Sequence, residues 1–277
     1  MAVKLPLFRL EHRGNIVLLP PHPHALIHFL GGAFIGMAPQ VLYQRLLEHL
    51  AQAGYGIIAT PFVNTFDHWE IAQTVSQRFH RTRLYLEQRS KIDVGLPIFG
   101  LGHSMGCKLQ VLMDSLAQDP HYPASYPRHQ GNIFIAFNNY PARRSIPFLD
   151  QILAQKPPEL DLEVEFTPDP EEVLAILQQH YNTNQNLVIQ FERDDLDESR
   201  PVGAILQQRF PQGFTFQVLT GNHLTPLGQS LEWEPGESFS PLDAMGQWFR
   251  HEVYRDLNAL SQVLIQWLDR HYLPFDL

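Results

Sequence analysis

The chain has 277 residues, 44% of them hydrophobic and 18% charged, and its 29 acidic and 20 basic side chains give a formal net charge of −9. That balance supports one large globular core, and the scattered lysines and arginines exclude the counterion release by which a protein grips a phosphate backbone, so no nucleic-acid partner is expected. No segment reaches the roughly 18 apolar residues of a membrane span, "MAVKLPLFRLEHRG" lacks a leader pattern, and the lone Cys107 forbids an intramolecular disulfide, so the expectation is a cytoplasmic protein with at most peripheral membrane contact.

"LFRLEHRGNIVLLP" reads as two extended runs about the turn signal Arg13-Gly14-Asn15, hence an antiparallel hairpin at one sheet edge. Ala25 to Leu30 is a near-continuous apolar strand. "PQVLYQRLLEHLAQAG" then places Val41, Leu42, Leu46, Leu47 and Leu50 on one helical stripe ending at Gly54. "YGIIATPF" predicts a strand, and Asp67 to about Glu87 a helix carrying Ile71, Val75, Phe79 and Leu86 inward. "LPIFGL" from Leu96 to Leu101 is a strand, Met105 to Leu116 a helix and "GNIFIAF" a strand.

From Pro141 to Asn186 the rhythm breaks into a segment richer in proline and glutamate, with one short helix after Asp169-Pro170. This segment is expected to be an insertion over the sheet, a lid within a single domain spanning residues 1–277. The alternation resumes with "NLVIQF", "RPVGAILQQRF" and "FTFQVL", and a long amphipathic helix covers roughly Leu242 to Tyr272. Strands alternating with helices predict an α/β architecture: a mostly parallel sheet, an antiparallel N-terminal edge and helices on both faces.

Gly102-His103-Ser104-Met105-Gly106 sits between the strand at Leu96–Leu101 and the helix at Met105–Leu116. A Gly-x-Ser-x-Gly string in that context is a strand-to-helix elbow, where the crowded backbone demands glycines and the serine hydroxyl stands near a helix N-terminus that favours a developing anion. Ser104 is therefore the candidate nucleophile. It needs a base and an orienting acid at the ends of later strands. Asp194, Asp195 and Asp197 directly follow "NLVIQF", and His223 follows "FTFQVL", in the chain order Ser, Asp, His. The oxyanion hole should take the N–H of Met105 and a second N–H from the loop "HFLGGAFIG", where Gly32, Ala33 or Phe34 is placed to donate.

These strings resemble the α/β-hydrolase superfamily, and "HFLGGAFIGMAPQVLY", "GHSMGCKLQ" and "FNNYPARRSIPF" resemble a family of hydrolase-like proteins from oxygenic phototrophs. The resemblance implies an α/β-hydrolase fold with Ser104 as nucleophile, His223 as general base and an acid of the "ERDDLD" loop behind it. Asp194 best matches the superfamily's habitual position three residues past the strand, with Asp197 and Asp195 as alternatives. The chain departs from the lipase-like His-Gly-Gly-Gly string, because Phe29 and Leu30 separate His28 from the glycines.

Other features carry less. The paired His22 and His24 lie before the third strand, away from Ser104, so no metal or other cofactor is expected. His103 is expected to be packed and hydrogen-bonded, and Cys107 to pack the helix on the sheet. Asn138 and Asn139 end a strand on the candidate site's side, either as turn residues or as polar contacts to substrate or acid loop. Of Phe34, Phe62, Phe66 and Trp69, most are expected in the core and some in a pocket.

The leading expectation is a serine hydrolase of a carboxylic ester or thioester, lipophilic in part, acting on a small ester or lipid as a monomer or homodimer. An acyltransferase using the same three residues, or a non-enzymatic binding scaffold, is the alternative.

Overall fold

A computed structural model describes residues 5–33, 39–116, 128–145, 165–227 and 241–272. Strands β1 (Phe8–His12) and β2 (Asn15–Leu19) form the expected hairpin. Its turn puts Arg13 at φ 52° and Gly14 at φ 74°, the double left-handed geometry whose twist suits a two-residue hairpin. Six further strands follow: β3 (Leu26–Leu30), β4 (Gly56–Ala59), β5 (Ile98–His103), β6 (Gly131–Ile135), β7 (Gln185–Phe191) and β8 (Phe214–Leu219). They form one eight-stranded sheet in the order β1-β2-β4-β3-β5-β6-β7-β8, parallel from β4 onward and antiparallel at the β1-β2-β4 edge.

The pleat sorts the core into two layers. Ile27, Phe29, Phe99, Leu101, Ile133, Ile135, Leu187 and Ile189 face one way, toward helix α2 (Gln44–Gln52) and the C-terminal helix α8 (Pro241–His271). On the other face lie α3 (His68–Gln88), α4 (Met105–Leu116), α6 (Pro170–Gln179) and α7 (Ser199–Arg209). Here Cys107, Phe134, Val173, Leu177, Val188 and Val202 share one buried cluster, so Cys107 is the packing residue expected of it.

Two helices start at aspartate caps. Asp67 accepts from Glu70 N at the start of α3, and Asp169 with Glu172 forms a reciprocal capping box at the start of α6. The stripe expected from Val41 to Leu50 is broken. A short helix α1 (Pro39–Leu42) and α2 are separated at Tyr43, which is fully buried, while Val41 is 56% exposed. The reason is polar: the Tyr43 hydroxyl has two buried partners to reach, described below. Between β6 and α6 lies a short turn α5 (Ala142–Ser145); the middle of the expected lid, residues 146–164, lies outside the described residues, as does Phe34. Among the described residues, no helix is long and apolar enough to cross a membrane.

Candidate active site

Strand β5 ends at His103 and α4 begins at Met105, so Ser104 alone makes the turn. Its φ of 56° is left-handed, a conformation costing a non-glycine residue roughly 1–2 kcal/mol. Ser104 N donates to Ile135 O at 2.9 Å and Ser104 O accepts from Cys107 N at 3.1 Å, which holds the turn. The flanking glycines are required by contact. A Cβ on Gly102 would lie 2.5 Å from Cys107 N, and one on Gly106 would lie 2.1 Å from Leu30 O. The elbow thus works only if the helix can press against both its own strand and the end of β3.

The three residues singled out around Ser104 meet in space. His223 Nε2 lies 2.9 Å from Ser104 Oγ, and His223 Nδ1 lies 2.9 Å from Asp194 Oδ2. A carboxylate only accepts, so Nδ1 carries the proton and Nε2 is left with its lone pair toward the serine hydroxyl. The Asp194 side chain is fully buried, and its second oxygen accepts from Leu196 N at 2.9 Å. Of the two alternative acids, Asp195 is exposed and uses its carbonyl to accept from the Tyr140 hydroxyl. Asp197 caps the chain into α7 by accepting from Ser199 N at 2.6 Å, and burial pushes its carboxyl up to about 6. Neither replaces Asp194 beside His223.

The loops that carry these groups are tied together. Glu192 N donates to Leu219 O and Arg193 N to Gly221 O, coupling the acid loop to the histidine loop. Asn138 Nδ2 donates to Leu196 O at 3.1 Å, and Asn139 N to Glu198 Oε2 at 3.0 Å. Both asparagines therefore serve the acid loop and also line the cavity above Ser104.

His103 does more than pack. Gly32 N–H donates to Tyr43 Oη at 2.9 Å, Tyr43 Oη is 2.7 Å from His103 Nδ1, and His103 Nε2 is 2.9 Å from His223 O. An amide must donate and a carbonyl must accept, so every proton along this chain is assigned: the phenol donates to Nδ1, and Nε2–H donates to the carbonyl. Burial, followed by the His223 charge, lowers the His103 pKa to about 3, so the imidazole stays neutral as this pattern requires. The chain joins the glycine loop after β3 to the backbone of His223. It also corrects one expectation, because the Gly32 N–H is already taken. Met105 N and Ala33 N have no partner among the described residues.

Above the serine opens a cavity of about 280 Å³. Its wall includes His68, Lys108, Tyr140, Arg144 and Phe166, none of which the sequence reading had placed at the site. Lys108 was within reach of inference, as a lone cation in the apolar "MGCKLQVLM", one helical turn past Ser104. Phe62 is buried and Trp69 half-buried in the core under α3 and α4, and Phe66 is an exposed loop residue, so none of these three lines the cavity. His24 stacks on Tyr272 at the far end of the sheet, and among the described residues no three metal-ligating side chains converge.

A family model described as "Protein of unknown function (DUF1350)" matches residues 9–270, and the chain belongs to that family. No curated protein matches the sequence. Among solved structures, a soluble variant of monoglyceride lipase from Saccharomyces cerevisiae aligns over 99% of this chain and 97% of its own at a TM-score of 0.57 and 13% identity. Carboxyl esterase 2 from Tuber melanosporum aligns over 92% and 89% at 0.55 and 15%, and the monoacylglycerol lipase of Paleococcus ferrophilus over 96% and 100% at 0.54 and 14%. Sheet order and these likenesses make the fold that of the α/β-hydrolases.

Proposed function

We propose that this member of the DUF1350 family is a serine hydrolase of carboxylic esters. One observation carries the reading: a strained serine hydrogen-bonded to a histidine whose other nitrogen holds a buried aspartate, at the floor of a cavity. His223 takes the proton as Ser104 Oγ attacks the ester carbonyl, and Asp194 keeps the imidazole in the right tautomer and stabilises its cation. The N–H groups of Met105 and Ala33 face the developing oxyanion, where each such donor contributes about 10²- to 10³-fold in rate. The same histidine returns the proton to the leaving alkoxide and then activates the water that frees the acyl group. The fold likeness to an esterase and two monoglyceride lipases is in keeping with this chemistry.

The chain acts as one domain, and the segment 141–186 shapes the pocket, since Arg144 near one end of it and Phe166 within it both line the cavity. That wall combines apolar groups such as Met105, Phe166 and Leu196 with the charged Lys108 and Arg144, so it has room for a lipophilic substrate part beside a polar one. Hydrolysis of a nitrophenyl ester series by the wild type and by Ser104→Ala tests the reading. Turnover that falls at least about a thousandfold in the variant supports it. Equal rates in the two proteins, with no labelling of Ser104 by a fluorophosphonate, would leave a binding scaffold instead.

A further inference from the structure

The cavity holds more charge than ester cleavage needs. Lys108 projects from the first turn of α4 and is 2% exposed. Its Nζ donates to Pro168 O at 3.1 Å and sits 5.4 Å from the Phe166 ring centre. Burial lowers its amine to about 8, which still leaves it mostly cationic at neutral pH. Four carboxylates act on it from a distance, those of Glu165, Asp169, Glu198 and Glu172. Each is already committed to backbone N–H groups: Glu165 to Ala142 and Phe166, Glu198 to Asn139, and Asp169 and Glu172 to each other's amides. None of the four lines the cavity, whereas Lys108 does. A buried ammonium without a contacting counter-ion costs several kcal/mol, and one hydrogen bond to a carbonyl offsets little of that.

Two further groups point the same way. Arg144, exposed at the cavity wall, has its guanidinium 3.7 Å above the Tyr140 ring and no carboxylate within ion-pair reach among the described residues. Stacking holds a guanidinium's plane while leaving its edge donors free. His68, 2% exposed on the same wall, stacks on Phe166 at 4.4 Å, and neither ring nitrogen has a partner. A buried imidazole with both nitrogens unsatisfied is a recurring cost that a bound polar group removes.

On the reading of Ser104 as nucleophile, we propose that the cavity recognises an anionic substrate: an ester whose acyl part ends in a carboxylate or phosphate held between Lys108 and Arg144, with His68 completing the polar wall. At about 280 Å³ the space is at the small end of ligand pockets. That size suits a short acidic acyl chain.

The test compares kcat/KM for three nitrophenyl esters of similar length: the pentanoate, the glutarate half-ester and the 4-phosphonobutyrate. One acidic ester is expected to exceed the neutral one by at least tenfold, and which acid wins distinguishes carboxylate from phosphate. The ratio of acidic to neutral ester should fall toward one in Lys108→Met and in Arg144→Gln. The second variant guards against misfolding of the first, because Arg144 is exposed. Turnover of the pentanoate with no preference for either acid, or a preference that survives both substitutions, overturns the anion site while leaving the hydrolase intact. No turnover of any ester and no labelling of Ser104 by a fluorophosphonate overturns both.

Discussion

Tyr43→Phe isolates the buried chain that joins the glycine loop to His223. The substitution keeps the ring, which is fully buried, and so opens no cavity of consequence. What it removes is one oxygen that accepts from Gly32 N–H at 2.9 Å and donates to His103 Nδ1 at 2.7 Å. Both partners are buried and would be left without a substitute. A buried group stripped of its partner costs about 1–3 kcal/mol, and the lower part of that range, about 1–2 kcal/mol for each of the two groups, sets the expected loss at roughly 2–4 kcal/mol. For a chain of this size that is a fall in Tm of roughly 5–15 °C, read by thermal unfolding at neutral pH. A second effect follows from position, since Gly32 adjoins Ala33, the proposed oxyanion donor. Loosening that loop is expected to lower kcat about tenfold on a nitrophenyl ester, a fraction of the 10²- to 10³-fold value of a whole donor, while KM moves little. A Tm within about 1 °C of wild type would refute the reasoning, because two orphaned buried groups cannot be that cheap.

The left-handed Ser104 predicts that Ser104→Gly is more stable than Ser104→Ala by about 1 kcal/mol in urea unfolding, with both inactive, because only glycine relieves the φ of 56°. Asp194→Asn should cut kcat by on the order of 10⁴-fold through the wrong imidazole tautomer. Asp195→Asn, an exposed change, should stay within about twofold. The buried imidazoles His68 and His103, each with a pKa lowered to about 3, must gain protons on unfolding below 6.5, so stability present above 6.5 is lost as the pH falls toward 3. Asp197, raised by burial to about 6, has the opposite sign: its protonated form favours the fold, and its contribution is lost as the pH rises through 6. Asp197→Asn should therefore steepen the acid loss of stability between about pH 4 and 6, as measured by urea midpoints across that range.

Most of the frame and the three side chains of the candidate site that meet at Ser104 were readable from the chain, and the reason is local. The hairpin, the elbow and the caps at Asp67 and Asp169 are each written in residues adjacent in sequence: a glycine where φ is positive, a small residue where a helix presses on a strand, an aspartate where amides are orphaned. Ser104, His223 and Asp194 follow from strand ends taken in order, which needs no knowledge of distance. What escaped was set by contacts between segments. Tyr43 looked like one more residue in a helical stripe, yet partners at Gly32 and His103 pull it inward, turn Val41 outward and break the helix there. The same hydroxyl removes Gly32 from the set of free amides, a fact that no local pattern records.

The cavity wall escaped for a related reason and shows why substrate is harder to read than chemistry. Ser104, Met105 and Lys108 come from the β5–α4 turn, Asn138 and Asn139 from the end of β6, and Arg144 and Phe166 from the two sides of the undescribed stretch 146–164. Ser104, Asp194 and His223 sit just past strand ends, where the sheet aligns them. The wall is under no such constraint, and its residues are unrelated in sequence spacing. Lys108 is the exception worth using, because helical geometry alone places it one turn beyond Ser104, in a helix whose first nine residues hold no other charge. A cation in that position costs desolvation energy in the free protein. The Pro168 carbonyl and four more distant carboxylates recover part of it, and on the proposed reading an anionic group of the substrate supplies the contacting counter-ion.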